Sequence, residues 1–294
     1  MTKTPLRYPG GKQRLAPFVT EILVANDLIG AHYVEPYAGG AGAALELLIT
    51  KKVSSIHLND SSRAVYAFWY SVLNHSEEMC RLITAASLTI EEWRIHKNVV
   101  DQPNKHRLLD LGFSTFYLNR CNRSGILSAG VIGGLNQTGN YKMDARFSRT
   151  NLIEKIENIA IRKKNISISN LDAEAFINRY NPNFDDKTFM YLDPPYYIKG
   201  NDLYLNFYKP EDHARLSDMI QTGINCKWIL SYDAADEVLA LYQQRNHFVY
   251  DLQYNASRVY KGREVFIFSD DLVIPHTSKT EYINSALSEY HFYI

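Results

Sequence analysis

The sequence predicts an α/β protein with a doubly wound, largely parallel sheet interrupted by a helical insertion. Three observations carry this. The chain opens on a β-α-β pattern, continues through a long helical stretch without a clear strand, and resumes strand–helix alternation from Ile166 onward. Such alternation marks a parallel sheet covered on both faces.

Each element has a local reason. Tyr33-Val34-Glu35-Pro36 reads as a short strand, followed by a Gly-rich turn and a helix from about Ala43 to Thr50. Ser55–Leu58 is a second strand, closed by Asn59-Asp60, and Ser61 is the expected N-cap of the helix through Phe68 and Leu73. The insertion, residues 66–164, holds a helix from Leu108 to Asn122. A Gly-rich loop with Gly125, Gly130, Gly133, Gly134 and Gly139 follows it. Alternation then returns: strand Ile166–Ser169, helix Asp172–Arg179, strand Phe189–Leu192, helix Pro210–Thr222, strand Lys227–Ser231 and helix Ala234–Gln244. A β-pair, Phe248–Leu252 with Glu264–Phe268, closes the pattern. Residues 1–65 and 165–294 therefore make one sheet domain around the insertion.

Composition narrows the class. Hydrophobic content of 46% and charged content of 22% are ordinary for a soluble globular chain of 294 residues. Cys80, Cys121 and Cys226 are scattered, with no C-x-x-C and no His cluster at ligand spacing, so no disulfide framework and no metal are expected. Met1 to Pro5 lacks the apolar core of a signal peptide, and no run approaches membrane-spanning length; a cytoplasmic protein without membrane contact is expected. The net charge is zero, yet Asp101 to Asn165 carries eleven Lys/Arg against five acids. Affinity for nucleic acid follows such local excess rather than the total, although a solvated helical face shows the same excess.

Asp193-Pro194-Pro195-Tyr196 follows the apolar run Phe189–Leu192, which places an acid at the carboxyl end of a strand, where open α/β sheets hold ligands. The prolines remove two backbone donors and leave carbonyl acceptors beside an aromatic ring. Acceptors next to a flat ring suit an exocyclic amine on a base. Glu35-Pro36-Tyr37-Ala38-Gly39-Gly40-Ala41-Gly42 lies in the first strand-to-helix turn, where small residues let a ligand approach the backbone. Asp60 ends the second strand, the usual place for an acid that bonds a ribose hydroxyl. An adenosine-containing cofactor follows, and at this level NAD and S-adenosylmethionine are both open. The full G-x-G-x-x-G is absent, which counts against a dinucleotide. Arg7-Tyr8-Pro9-Gly10-Gly11-Lys12 has no following Ser or Thr, which excludes a P-loop. Taken singly, Tyr8 and Lys12 read as an ordinary turn with a surface lysine.

Y-P-G-G-K, E-P-Y-A-G-G-A-G and D-P-P-Y, in that order, resemble the Dam-type, alpha-group DNA adenine-N6 methyltransferases over nearly the whole chain. Phe116-Tyr117-Leu118-Asn119-Arg120 and the Gly-containing loop look like that family's target-recognition region. The resemblance implies a Rossmann-like S-adenosylmethionine-dependent methyltransferase sheet with a helical target-recognition insertion, and duplex DNA as substrate. It implies that Tyr8, Lys12, Tyr37, Gly39, Asp60, Asp172 and Asp193 border the cofactor, and that Asp193, Pro194 and Tyr196 hold a flipped-out adenine. Asp172 reads equally well as a helix N-terminal acid. The family's F-x-G-x-G is altered here: Tyr37 stands for Phe, and Ala41 for the last Gly. Asn119, Arg120, Arg123 and Lys142 are the expected DNA contacts, with Arg258, Lys261 and Arg263 as a second phosphate strip. The resemblance fits a stand-alone enzyme as well as one with a cognate restriction enzyme. Three rivals remain at this level: an RNA methyltransferase of the same fold, an idle DNA-binding module and a nicotinamide dehydrogenase.

Overall fold

The computed structural model describes residues 3–8, 12–198, 208–255 and 259–275. Seven strands form one sheet: β1 (His32–Glu35), β2 (Ser55–Asn59), β3 (Ile166–Ser169), β4 (Thr188–Leu192), β5 (Lys227–Asp233), β6 (His247–Asn255) and β7 (Val259–Phe268). Their order is β3-β2-β1-β4-β5-β7-β6. Strands β1 to β5 run parallel, and β7 is antiparallel to both β5 and β6. The order reverses between β1 and β4, which opens a crevice at their carboxyl ends.

Burial explains why these runs are strands. All of β4 is buried, as expected of a parallel strand covered on both sides. Alternate residues face two cores. Tyr33, Phe189, Tyr191, Ile229, Phe266 and Phe268 meet Phe18, Val19 and Ile22 of α1 (Ala16–Ala25) and Leu45 and Leu48 of α2 (Gly42–Ile49). Val34, Met190, Leu192, Leu230 and Ile267 meet Phe176 of α8 (Ala173–Tyr180), Leu216 and Ile220 of α9 (Pro210–Gly223), and Val238 of α10 (Asp236–Leu241).

Between β2 and β3 lie α3 (Arg63–Asn74), α4 (Ser76–Ala85), α5 (Ile90–Asp101), α6 (Leu108–Cys121) and α7 (Arg149–Ala160). The cap of α3 is Ser62, whose hydroxyl accepts from Val65 N, rather than Ser61; the sequence offers two adjacent serines, and the turn geometry selects the second. Helix α6 crosses α3 at Gly112, where a Cβ would stand 2.4 Å from the Ala67 carbonyl oxygen. Phe68 stacks on Phe116 with ring centroids 6.0 Å apart. Most of their buried side chains join the core on the α1 face of the sheet, and Ala64, Ala67 and Leu111 form a small cluster of their own between α3 and α6.

Asn59 joins the ends of three strands. Its amide nitrogen donates to the carbonyls of Pro36 (2.9 Å) and Leu171 (3.0 Å), and its oxygen accepts from Leu171 N (3.1 Å). The side chain is fully buried, so its removal strands these backbone groups away from water. Asn59→Ala is expected to cost about 2–4 kcal/mol, read as a lower urea midpoint with an unchanged slope. A shift below about 0.5 kcal/mol would show that the tie contributes nothing.

Candidate active site

The crevice is framed by the first turn of the fold and by the segment after β4. Tyr8 lies over that turn: a Cβ on Gly39 would sit 2.5 Å from Tyr8 Cε1, and one on Gly40 2.8 Å from Tyr8 Cβ. Gly39 also has φ +46°, so both its conformation and its neighbour demand glycine. Ala41 has φ +47°, in the left-handed region, where a Cβ costs on the order of 1–2 kcal/mol. The altered family position therefore keeps the glycine-like backbone. Trp69 Nε1 donates to the Gly39 carbonyl (2.9 Å), and Gly39 N donates to Asp60 Oδ2 (2.9 Å). The other Asp60 oxygen accepts from Ser62 N (2.8 Å), and burial pushes this carboxyl up to about 6.

Glu35, at the end of β1, closes the N-terminus of α2. Its Oε1 accepts from Ala44 N (3.2 Å) and from the Tyr33 hydroxyl (3.0 Å). Burial raises the carboxyl to about 8; the two donors oppose this, and the nearby Asp193 charge adds to it. The helix terminus that would seat a pyrophosphate in a dinucleotide enzyme is thus filled by an acidic side chain.

Lys12, Asp193 and Tyr196 converge. Lys12 Nζ lies 3.2 Å from Asp193 Oδ1 and 3.7 Å from Glu264 Oε2, and donates to the Tyr196 hydroxyl (2.7 Å). Tyr196 donates onward to Glu264 Oε1 (2.8 Å), and Tyr250 donates to Glu264 Oε2 (2.6 Å). Ser231 Oγ donates to Asp193 Oδ1 (2.6 Å) with the Tyr191 hydroxyl at its back (2.8 Å). Burial would lower the Lys12 ammonium, but Asp193 and Glu264 outweigh it and the net shift is upward. Burial lifts Asp193 further than Lys12 and Ser231 pull it down. Asp233, at the end of β5, accepts from Tyr197 N and Ile198 N, both at 2.8 Å, and so fixes the chain leaving Tyr196.

The remaining expected residues are more dispersed. The Tyr37 hydroxyl meets that of Tyr208 at 3.0 Å. Asp172 is exposed and caps α8 by accepting from Glu174 N (2.9 Å), although its charge still reaches the Tyr37 and Tyr208 phenols. Arg123 and Lys142 are exposed on the Gly-rich segment, and Lys142 donates to the Gln137 carbonyl. Arg120 is half-buried, and its guanidinium bonds the Arg146 carbonyl. Asn119 stands apart from an outward-facing set. It is 2% exposed, and its amide is taken up by Arg7 N, Arg7 O and Gly125 O at 2.7–2.8 Å. Arg263 is exposed, whereas Gly10, Gly11, Arg258 and the side chain of Lys261 lie outside the described residues.

Glu264, Ser231, Asp233 and Asn59 were not singled out from sequence. Each is a polar residue within or closing an apolar strand run, and that is the signal available for finding them.

A switch-point crevice with a strand-end D-P-P-Y on this sheet defines a Rossmann-like methyltransferase. The model of the D12 class N6 adenine-specific DNA methyltransferases matches residues 8–256, and the chain belongs to that family. It is also similar to the Type II methyltransferase M.CviBI of Paramecium bursaria Chlorella virus NC1A: 26% identical over 278 residues, covering 89% of this chain and 94% of that protein. The enzyme transfers a methyl group to adenine N6 in DNA. Among the described residues no group of three or more His, Cys, Asp or Glu is placed to hold a metal, and no helix is long and apolar enough to cross a membrane.

Glu35 makes stability depend on pH. Its folded value of about 8 exceeds the ordinary 4.5, so its contribution is complete below pH 4.5 and is lost as pH rises through about 8. Glu35→Gln keeps an oxygen for Tyr33 and Ala44. It is expected to remove a fall of roughly 3 kcal/mol between pH 5 and pH 9, measured by urea unfolding of both proteins. Parallel pH profiles for the two proteins would refute this.

Proposed function

We propose that the methyl donor is S-adenosylmethionine, that the target adenine is flipped out of duplex DNA, and that Asp193, Pro194 and Tyr196 receive it. The observation that carries this reading is the convergence of Lys12, Asp193 and Tyr196 at the end of β4. Charge supports the donor. Burial holds the Asp60 and Asp193 carboxyls above their ordinary range, a cost that a cationic ligand beside them would relieve. A dinucleotide pyrophosphate would meet Glu35 where it needs a helix N-terminus. When bound, S-adenosylmethionine supplies an activated methyl on a sulfonium. Asp60 would bond its ribose, Tyr8, Tyr37 and Gly39 would border its adenosine, Lys12 would face its methionine end, and Asp172 would lie towards its base.

Adenine N6 is a poor nucleophile because its lone pair is delocalised into the ring. The Asp193 carboxylate and the Pro194 carbonyl accept its hydrogens and draw the amine toward a pyramidal form. Positive charge developing on N6 is stabilised by the same carboxylate. The Tyr196 ring offers a stacking surface worth about 1–3 kcal/mol per base, which offsets much of the unstacking cost. Residues 66–164 serve as the target-recognition insertion, with Arg120, Arg123 and Lys142 toward the phosphates. The buried amide of Asn119 instead anchors the N-terminal segment. The type II designation of the viral relative supports a restriction–modification setting.

The deciding assay incubates purified protein with duplex DNA and methyl-labelled S-adenosylmethionine, then separates the nucleosides. Label in N6-methyladenine is expected; label confined to RNA in a parallel reaction would overturn the substrate. Asp193→Ala is expected to lower transfer by roughly a thousandfold or more while the protein still folds. Full activity in that variant would remove Asp193 from the reaction. Arg123→Ala and Lys142→Ala should each flatten the slope of log Kd against log salt by about 1 if they touch phosphates. Unchanged slopes would move the duplex elsewhere.

A further inference from the structure

Half-buried Asp193 and buried Glu264 flank the Lys12 ammonium at the site. Glu264 stands in β7 opposite Asp233 of β5 and Tyr250 of β6, on the face where Phe266 packs two residues later. A carboxylate in such a position is costly unless it is paired. Among the described residues it accepts from Tyr196 and Tyr250 and lies, more distantly, beside Lys12. Tyr250 satisfies one oxygen without explaining why an acid is there at all.

The reaction gives it a task. Lys12 Nζ lies 3.2 Å from the carboxylate that is to stabilise a cationic amine. An ammonium so placed cancels the Asp193 charge and repels positive charge growing on N6. A second carboxylate restores the balance: among the described residues, Glu264 sets two carboxylates against the one Lys12 ammonium at this point. The same residue also anchors the Tyr196 hydroxyl, which is held between Lys12 and Glu264.

We propose that Glu264 is a positioning residue for methyl transfer: it pairs with the Lys12 ammonium, so that this cation does not offset the negative charge offered to the target amine, and it fixes the Tyr196 ring through its hydroxyl. This rests on the reading of Asp193 as the acceptor of the adenine amine. Glu264 touches neither adenine nor methyl donor; it acts through Lys12 and Tyr196.

The test is single-turnover methylation at saturating duplex and S-adenosylmethionine. Glu264→Gln is expected to slow transfer roughly tenfold or more, with both dissociation constants within about threefold of wild type. Tyr250→Phe, which removes a donor but no charge, should stay within about threefold in rate. In a Lys12→Met background, adding Glu264→Gln should cost less than about threefold, because the charge it balances is gone. An unchanged rate in Glu264→Gln overturns the proposal, as does an equal loss in Tyr250→Phe or a full loss in both backgrounds. Should Glu264→Gln alone fail to fold, comparing Lys12→Met with the double variant decides the same point. Wild-type transfer to adenine in the same assay tests the underlying reading separately.

Discussion

The site depends on holding carboxylates largely away from water on three strands of one sheet, with the Lys12 ammonium set between two of them. Glu35, Asp193 and Glu264 end or interrupt strands β1, β4 and β7, and the described residues place Lys12 beside two of them. Each acid has a tyrosine behind it from the same core face: Tyr33 for Glu35, Tyr250 for Glu264, and Tyr191 acting through Ser231 for Asp193. A phenol donates one hydrogen bond without bringing a charge. It therefore orients a carboxylate while leaving its charge, or its proton, to the ligand. The apolar sheet core and the polar crevice are thus one construction, with ring carbons below and hydroxyls at the boundary.

The scaffold brings together groups that are far apart in sequence. Asn59 ties the turns after β1 and β3, Asp233 ties the chain after β4, and Tyr8 is seated on Gly39 and Gly40. The N-terminal segment does the longest-range work. Arg7 is held by Asn119 of α6 through both its N–H and its carbonyl, and the next residue, Tyr8, covers the first turn. Since α3 and α6 also share the core of the sheet, the insertion and the crevice are held in register by packing as well as by this strap.

Much of this was legible in the residues. Strands such as Thr188–Leu192 show themselves as apolar runs, and D-P-P-Y places its own acid at a strand end because proline ends the ladder. The convergence of Lys12 with Asp193 and Tyr196 was implied by family pattern alone; no spacing rule brings residues so far apart to one point. Glu264, Ser231 and Asp233 show only as polar residues in or closing apolar runs, and nothing in the sequence says that they meet. Their roles come from cross-strand register between segments that periodicity treats separately. Asn119, expected at the DNA, has its amide bonded within the protein for a different reason. A polar residue on a helix reads as solvent-facing, but here the solvent side is covered by the N-terminal segment, whose backbone needs its amide.

The start of the first helix also distinguishes this crevice from one built for a dinucleotide. A doubly wound fold offers the first helix N-terminus to whatever lies in the crevice, and a pyrophosphate is its natural occupant. Here that terminus is closed by Glu35 from the neighbouring strand, and the helix starts from a left-handed Ala41 rather than from an open glycine turn. With that seat taken by Glu35 and with Asp60 and Asp193 at the ends of β2 and β4, the crevice presents acidic side chains where a dinucleotide fold presents open backbone donors.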